Sequence, residues 1–212
     1  MKQLLIIGAG GLGHEVAWLV ERINQKSPTF ALLGFLDDAP ELIGREINGY
    51  GVLGRVSDIT RYPDALAVCA IANTAVRHRL VEQILQAAPR TVFATLIDPS
   101  AEYSRWVTVG QGSIICARTL LTVNIAVGEH VIINPACTVG HDAVLEDFVT
   151  VYPGANLAGN TQIGTGAELG TGMQIIQGKR IGADAVIGAG AVVVRDIPPR
   201  CTAVGCPAKP IK

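Results

Sequence analysis

The sequence of this 212-residue chain predicts two kinds of structure in succession, a small α/β domain and then a parallel β-solenoid. Two observations carry the prediction. Fifteen aliphatic residues, each Val, Ile or Leu, recur every six positions from Val109 to Val193 without interruption. Before them, an apolar strand pattern, a Gly-rich turn and a helical pattern open the chain, which is typical of an α/β domain.

The first element is the apolar run Gln3–Ile7, which has the length of a buried strand. The turn Gly8–Gly13 follows it and reads G-x-G-x-x-G, and a helical pattern extends from His14 to about Asn24. Between a strand and a helix, the backbone N–H groups of such a turn can hold phosphate. The alternative is a tight strand-to-helix connection that binds nothing.

A second strand, residues 31–36, leads into two carboxylates, Asp37 and Asp38. Open α/β sheets contact ligands at the carboxyl ends of their strands, so these side chains favour a nucleotide site. A third strand over 66–71 and a helix over 74–87 complete the domain, which we assign to residues 1–92. It holds too few βα units for two nucleotide-binding halves, which disfavours a dinucleotide.

The six-residue aliphatic period predicts a parallel β-helix, with one aliphatic side chain per short strand filling a shared core. Three hexads make one coil, so the run predicts five coils and a stack about 25 Å tall, at roughly 4.8 Å per coil. Glycine often follows the aliphatic residue directly, where we expect backbone angles closed to other residues. We assign this domain to residues 93–198, ended by the two prolines at 198 and 199, and a tail to residues 199–212.

The composition excludes several classes of partner. The net charge is −1, from 17 basic and 18 acidic residues without a basic cluster, so we expect neither nucleic-acid nor membrane binding. The apolar stretch Leu4–Ile7 is too short to span a bilayer, and we expect a cytoplasmic protein. Five cysteines form no Cys-x-x-Cys pair, and His130 and His141 are the only histidines in the repeats, so we expect no catalytic metal.

Motifs along the whole chain resemble those of the sugar O-acyltransferase family. This family includes the sialic acid O-acetyltransferases and the bacterial nucleotide-sugar N-acetyltransferases that act on 4-amino-4,6-dideoxy sugars in glycan or O-antigen biosynthesis. The segments that carry the resemblance are residues 8–11, 34–38, 51–54, 141–142, 153–155, 157–160 and 204–209. The resemblance implies a Rossmann-like N-terminal domain, a left-handed β-helix, a homotrimer with active sites between neighbouring helices, acetyl-coenzyme A as donor, and a tail near the coenzyme.

The resemblance also implies roles for individual residues. It makes His141 the general base and Asp142 the neighbour that raises its basicity, which a carboxylate does by stabilising the imidazolium. It implies a nucleotide-sugar site of Gly10, Gly11, Leu12, Asp37, Asp38 and Asn73. It implies a coenzyme groove with Thr150, Gly159, Thr171 and Ala189.

The chain departs from the family pattern at two of these positions. Thr150 stands where many relatives carry a second histidine, and a hydroxyl cannot replace its basicity. Leu12 stands where many relatives carry a histidine in the Gly-rich turn.

Three functions remain open at this point. The leading one is direct acetyl transfer from acetyl-coenzyme A to the 4-amino group of a UDP- or GDP-linked dideoxy sugar. The alternative is a sugar O-acetyltransferase, for example of sialic acid, using the same base. The third is a non-catalytic trimeric binding or assembly subunit. The carboxylates of Asp37 and Asp38 do not distinguish UDP from GDP, because they can accept hydrogen bonds from uracil or from guanine.

Overall fold

The computed structural model describes residues 1–211, and Lys212, the last residue of the predicted tail, lies outside the described residues. The chain divides into two compact units, Met1–Pro99 and Ser100–Lys212. The predicted fold class is confirmed: the first unit is an α/β domain and the second is a left-handed parallel β-helix.

The first unit is built on a five-stranded sheet in the order β3-β4-β2-β1-β5, with two helices and a 3-10 helix. Its elements are β1 (Lys2–Ile7), α1 (Gly11–Lys26), β2 (Phe30–Leu36), β3 (Glu46–Ile47), β4 (Tyr50–Gly54), the 3-10 helix Val56–Arg61, β5 (Leu66–Cys69), α2 (Thr74–Ala87) and β6 (Leu96–Ile97). The parallel strands β2, β1 and β5 and helix α2 lie where the sequence predicts them, and α1 begins three residues before the predicted start at His14.

The centre of this sheet is strand β1, whose residues Leu4 to Ile7 have no exposed surface. A strand covered on both faces reads as a continuous apolar run, as this one does. The chain passes from β1 to β2 on one side and later places β5 on the other side. The topological switch point therefore lies between the carboxyl ends of β1 and β5, which is where open α/β sheets bind ligands.

The hairpin β3–β4 was not predicted from the sequence. Its turn residues, Asn48 and Gly49, both have positive φ angles, 51° and 82°. This is the backbone conformation that a two-residue hairpin turn requires, and Asn-Gly is its strongest sequence signature. The dipeptide itself was the available signal.

The second unit consists of short strands that pair in parallel with the strand one coil, or three hexads, further along the chain, except at its C-terminal end, where residues 202–204 and 209–210 pair in an antiparallel arrangement. The strands are β7 (Glu102–Tyr103), β8 (Thr108–Val109), β9 (Ile114–Ile115), β10 (Leu120–Leu121), β11 (Ala126–Val127), β12 (Ile132–Ile133), β13 (Thr138–Val139), β14 (Val144–Leu145), β15 (Thr150–Val151), β16 (Asn156–Leu157), β17 (Gln162–Ile163), β18 (Glu168–Leu169), β19 (Gln174–Ile175), β20 (Arg180–Ile181), β21 (Val186–Ile187), β22 (Val192–Val193), β23 (Thr202–Val204) and β24 (Lys209–Pro210). Fourteen of the fifteen periodic aliphatic residues are buried, and Val109 in the first coil is half-buried. The core is thus the one that the period predicts.

Three sheets form the walls of the β-helix. The first sheet contains β7, β10, β13, β16, β19 and β22, the second contains β8, β11, β14, β17 and β20, and the third includes β9, β12, β15, β18, β21, β23 and β24. We call the edge between the first and second sheets the His141 corner, formed by residues 123–124, 141–142, 159–160 and 177–178. We call the edge between the third and first sheets the Thr171 corner, formed by residues 135–136, 153–154, 171–172 and 189–190.

The expected reason for glycine after the periodic aliphatic was wrong. None of these glycines, such as Gly140, has a positive φ angle, whereas the residue two positions further along does, as at Asp142 and Gly172. Glycine directly after the aliphatic is explained by close approach of the next coil. A Cβ atom on Gly140 would lie 2.5 Å from the backbone nitrogen of Gly159.

Candidate active site

His141 and Asp142 form a hydrogen-bonded pair at the His141 corner, between strands β13 and β14. The imidazole Nδ1 lies 2.7 Å from Oδ2 of Asp142, and both side chains are half exposed. Because an ionised carboxylate only accepts hydrogen bonds, Nδ1 is the donor. In the neutral ring this leaves Nε2 as the acceptor, which is the proton acceptor a general base requires.

The Asp142 carboxylate is bound on both of its oxygens. His141 reaches Oδ2, and the side-chain amide of Asn124, one coil earlier, donates to Oδ1 at 3.1 Å. These bonds, that of His141 first, lower the pKa of Asp142 below its ordinary value. The carboxylate therefore stays ionised near neutral pH and keeps Nδ1 in the donor role.

Gly159 lies directly against the imidazole, one coil after His141. A Cβ atom on Gly159 would lie 2.4 Å from Nε2 of His141, so only glycine leaves room for the ring in this orientation. The backbone N–H of Asn160 donates to the carbonyl of His141 at 2.6 Å, which fixes the two coils together. Within residues 1–211, the N–H of Gly159 donates no backbone hydrogen bond. This places an available amide donor beside the base.

The other three predicted coenzyme residues do not lie at this corner. Thr171 and Ala189 are exposed and stack at the Thr171 corner, where the N–H of Gly190 donates to the carbonyl of Thr171 at 2.8 Å. The first sheet separates this edge from the His141 corner. Thr150 lies in β15 of the third sheet and has no exposed surface. The fold of one chain therefore brings together His141, Asp142 and Gly159 but not the other three residues.

The two aspartates after strand β2 have different partners. Asp37 accepts the N–H of Ala9 at 2.7 Å through Oδ2 and the N–H of Ala39 at 2.9 Å through Oδ1. It thereby ties the Gly-rich turn to the end of β2. Asp38 is exposed and accepts one N–H, that of Val56 at 3.0 Å, through Oδ1. Asp38 is thus better placed to contact a ligand, while Asp37 has a structural role.

A cavity of about 270 Å³ lies beside these carboxylates at the switch point of the sheet. Its lining residues are Gly8, Asp37, Asp38, Val56, Ile71, Val76, Arg79 and Leu80. A second cavity, of about 440 Å³, shares Asp38 and Val56 with the first and includes Arg55, Ser57 and Gln83. Both signs of charge are present, which suits a ligand with a hydrogen-bonding base and anionic groups.

Of the remaining predicted acceptor residues, Gly10 caps α1 and Gly11 begins it, both exposed. A Cβ atom on either would meet nothing within 4 Å, so the space above the helix N-terminus is open to a ligand. Leu12 is half-buried in the first turn of α1. The side-chain oxygen of Asn73 accepts the N–H of Val76 at 2.9 Å and caps α2.

Two arginines on α2 were missed by sequence reasoning. Arg79 lines the smaller cavity. Arg77 is 1% exposed, and its guanidinium donates to the carbonyl of Ile71 at 2.6 Å and to that of Ala72 at 3.0 Å. It therefore holds the loop after β5 that forms one wall of the cavity. The available signal was a pair of cations on the helix that follows a switch-point strand.

Two of the interior thiols are poorly suited to nucleophilic chemistry. Burial raises the pKa of Cys137 to about 11 and that of Cys69 to about 12, so both stay protonated at neutral pH. Among residues 1–211, no group of three or more His, Cys, Asp or Glu side chains is arranged to hold a metal ion. Nor does any helix in this part of the chain have the length and apolar character needed to cross a membrane.

Sequence comparisons match both units to known proteins. Residues 3–84 match the family described as the PglD N-terminal domain. The GDP-perosamine N-acetyltransferase of Escherichia coli O157:H7 is 33% identical over 170 residues, which are 76% of this chain and 75% of that protein. The UDP-N-acetylbacillosamine N-acetyltransferase of Bacillus subtilis is 36% identical over 119 residues, 55% of this chain and 52% of the relative.

Two solved structures match along nearly the whole chain. The acetyltransferase domain of PglB from Neisseria gonorrhoeae, in complex with acetyl coenzyme A, is 35% identical with a TM-score of 0.91 and covers 99% of both chains. A histidine-to-asparagine mutant of perosamine N-acetyltransferase from Caulobacter crescentus, in complex with CoA and GDP-perosamine, is 30% identical with a TM-score of 0.88. That match covers 100% of this chain and 98% of the other.

Proposed function

We propose that this chain, which belongs to the PglD-type family of nucleotide-sugar N-acetyltransferases, uses His141 as the general base of direct acetyl transfer. The enzyme is an acetyl-coenzyme A-dependent N-acetyltransferase of nucleotide-linked amino sugars. The acceptor that we propose is the 4-amino group of a UDP- or GDP-linked 4-amino-4,6-dideoxy sugar. The observation that carries the proposal is the 2.7 Å bond between Nδ1 of His141 and Asp142, which leaves Nε2 as a proton acceptor.

The chemistry needs a base, an oxyanion donor and no protein nucleophile. The amine nitrogen attacks the thioester carbonyl carbon while Nε2 of His141 accepts the amine proton. Negative charge then develops on the carbonyl oxygen, and we assign its stabilisation to the N–H of Gly159 beside the imidazole. Collapse of the tetrahedral intermediate breaks the carbon–sulfur bond, and the imidazolium returns a proton to the leaving thiolate. The protonated state of Cys69 and Cys137 supports direct transfer over an acyl-enzyme on either thiol.

We further propose that the active site is shared between copies in a homotrimer. His141 is half exposed on one corner of the prism, and Thr171 and Ala189 are exposed on another. All three can line one coenzyme groove only if the Thr171 corner of a neighbouring copy faces the His141 corner. A neighbouring copy would also exclude water from the base, which strengthens the electrostatic effects that catalysis uses.

Mixed oligomers test the shared site. We expect H141A and A189W each to be inactive alone, the first without a base and the second with a blocked groove. Co-expressed mixed oligomers should recover activity, because some interfaces then combine an intact His141 corner with an intact Thr171 corner. Mixed oligomers that remain inactive, once their composition is verified by mass spectrometry, would contradict a shared site.

For the acceptor, we propose that the nucleotide lies along Asp38 and the adjoining cavities, with its diphosphate near Gly10 and Gly11. The free carboxylate oxygen of Asp38 can accept from a base N–H, and the open space at the start of α1 can take anionic groups. Leu12 and Asn73 are close in sequence to residues of this site, and we propose both as further contacts. Titration of the protein with UDP and GDP separately, with and without coenzyme A, identifies the nucleotide.

The central experiment measures thiol release from acetyl-coenzyme A with UDP- and GDP-linked 4-amino sugars as acceptors. We expect H141N to lose kcat by about 10²- to 10⁴-fold while it retains coenzyme affinity. The matched control is H78A, because His78 is exposed on α2 and lines neither cavity. H141N with kcat within threefold of wild type would overturn the role of His141. An acetyl group on the product that survives mild alkali is an amide rather than an ester, and no observation favours the ester.

A further inference from the structure

We infer that Asn124 is a positioning residue for the His141–Asp142 pair. It holds the Asp142 carboxylate so that the oxygen facing the imidazole stays on Nδ1. This inference rests on the proposed function of His141 as the base, and it concerns a residue that touches neither substrate nor coenzyme in the proposed mechanism.

The two hydrogen bonds to Asp142 come from opposite sides. Nδ2 of Asn124 donates to Oδ1 at 3.1 Å, and Nδ1 of His141 donates to Oδ2 at 2.7 Å. A carboxylate cannot donate when ionised, so the amide of Asn124 must present its NH₂ group. Rotation of the carboxylate about its terminal bond would break both bonds together. The Asn124 bond therefore opposes the rotation that would release the imidazole.

The backbone puts these side chains one above the other. Asn124 and Asp142 are one coil apart, at the same place in successive coils, and their φ angles are 55° and 59°. The N–H of Asp142 donates to the carbonyl of Val123 at 3.1 Å, which holds the two coils in this register. Asn and Asp tolerate this left-handed conformation better than other non-glycine residues. Both the backbone and the side chain of Asn124 thus suit this task.

A bond at this distance from the base can still change the rate. General-base catalysis depends on the direction of the Nε2 lone pair, and the ring direction depends on the bond at Nδ1. Asp142 and His141 are half exposed, so without a second anchor the carboxylate has room to rotate toward solvent. Consistent with an orienting bond, Asn124 is the second cause, after His141, of the lowered pKa of Asp142.

The test is a double-mutant cycle between N124G and D142G, read as kcat and KM for both substrates. Glycine accepts the φ angle of 55°, so N124G removes the side chain without straining the corner. We expect kcat to fall about three- to tenfold with both KM values unchanged. This is the lower part of the range for a hydrogen bond to a charged group, because the Asp142 carboxylate is half exposed. In the D142G background, N124G should have no further effect, because the carboxylate that Asn124 orients is absent.

The matched control is N48G, the same substitution at a φ angle of 51° in the exposed turn of the β3–β4 hairpin, where we expect unchanged kinetics. If N124G folds poorly, N124D provides a second variant, because Asp keeps the backbone conformation but places a second carboxylate against Asp142. We expect N124D to lower kcat at least as much as N124G.

The outcomes distinguish a failure of this inference from a failure of the proposed role of His141 as the base. An unchanged kcat in N124G, or an equal fall in the wild-type and D142G backgrounds, would overturn the inference and make Asn124 merely structural. If D142G and H141A lower kcat while N124G does not, the inference fails alone. If H141A itself leaves kcat unchanged, the proposed function has failed first.

Discussion

Replacing Gly159 by alanine should disable the base without disturbing the fold. The added Cβ atom would lie 2.4 Å from Nε2 and 2.7 Å from two carbons of the His141 ring. The φ angle of Gly159 is not in the left-handed region, so alanine causes no backbone strain there. The clash is therefore with the imidazole of the proposed base.

The size of the effect follows from that contact. Ordinary van der Waals contact begins near 3.4 Å, so the ring must move by about 1 Å to accommodate the methyl group. A displacement of about 1 Å at a catalytic group can cost roughly 10²-fold in rate. Stability should change by less than about 1 kcal/mol, because the half-exposed imidazole can turn into solvent rather than compress the core. We expect kcat to fall about 100-fold in a protein that melts almost normally.

The assay compares kcat with the thermal unfolding midpoint for wild type, G159A and the control G51A. Gly51 also lacks a positive φ angle, and a Cβ atom there would meet Leu53 at an ordinary 3.5 Å. We expect G51A to keep its kcat, while a crystal structure of G159A should show the ring of His141 rotated off Asp142. If G159A keeps kcat within threefold of wild type, the orientation of the imidazole seen here is not the catalytic one.

Three further outcomes follow from the contacts at the other residues. D37A should cost about 1 kcal/mol of unfolding free energy for each of its two lost backbone bonds, whereas D38A loses one such bond, should cost about half as much, and should weaken nucleotide binding by titration. R77M should cost about 2 kcal/mol in chemical denaturation and raise KM for the acceptor, because two carbonyls of the cavity loop lose their buried donor. The pKa of Asp142 is lowered in the folded chain. The hydrogen bonds of its ionised carboxylate therefore stabilise the fold above the ordinary pKa of 3.8, and this stabilisation is lost as the pH falls through the lowered pKa. Thermal melts of wild type and D142N should differ at neutral pH and converge in strong acid.

The bounds of a helix could be predicted from local sequence where a capping residue or a proline marks its ends. Helix α2 occupies Thr74–Ala87 as predicted, because Asn73 caps its start and Pro89 follows its end. Helix α1 begins three residues earlier than predicted, at Gly11, because no side-chain cap marks its start. The carboxylates at 37 and 38 show the limit of local pattern: two adjacent aspartates look equivalent in the sequence, and only the fold determines which one turns toward the backbone.

The six-residue period also determines which of the predicted site residues share a corner of the β-helix. Coils return every three hexads, so Gly159, one full coil after His141, must lie beside it. Thr171 is five hexads after His141 and therefore belongs to another corner, and Thr150, half a coil after it, belongs to a strand. What the period cannot give is the identity of the corner that a neighbouring copy presents. That depends on surface complementarity between chains rather than on any local pattern.

The stacking of coils also explains how His141 keeps its orientation although it is half exposed in a single chain. The coil before His141 is joined to its corner through the N–H of Asp142, and the coil after it through the carbonyl of His141 itself. The backbone on both sides of the imidazole is therefore fixed, and only the side-chain torsions remain free. Asp142 and Gly159 restrict those torsions from two sides, one by a hydrogen bond and one by the space it leaves. Precise orientation of the base thus comes from a rigid backbone and its immediate neighbours within one chain.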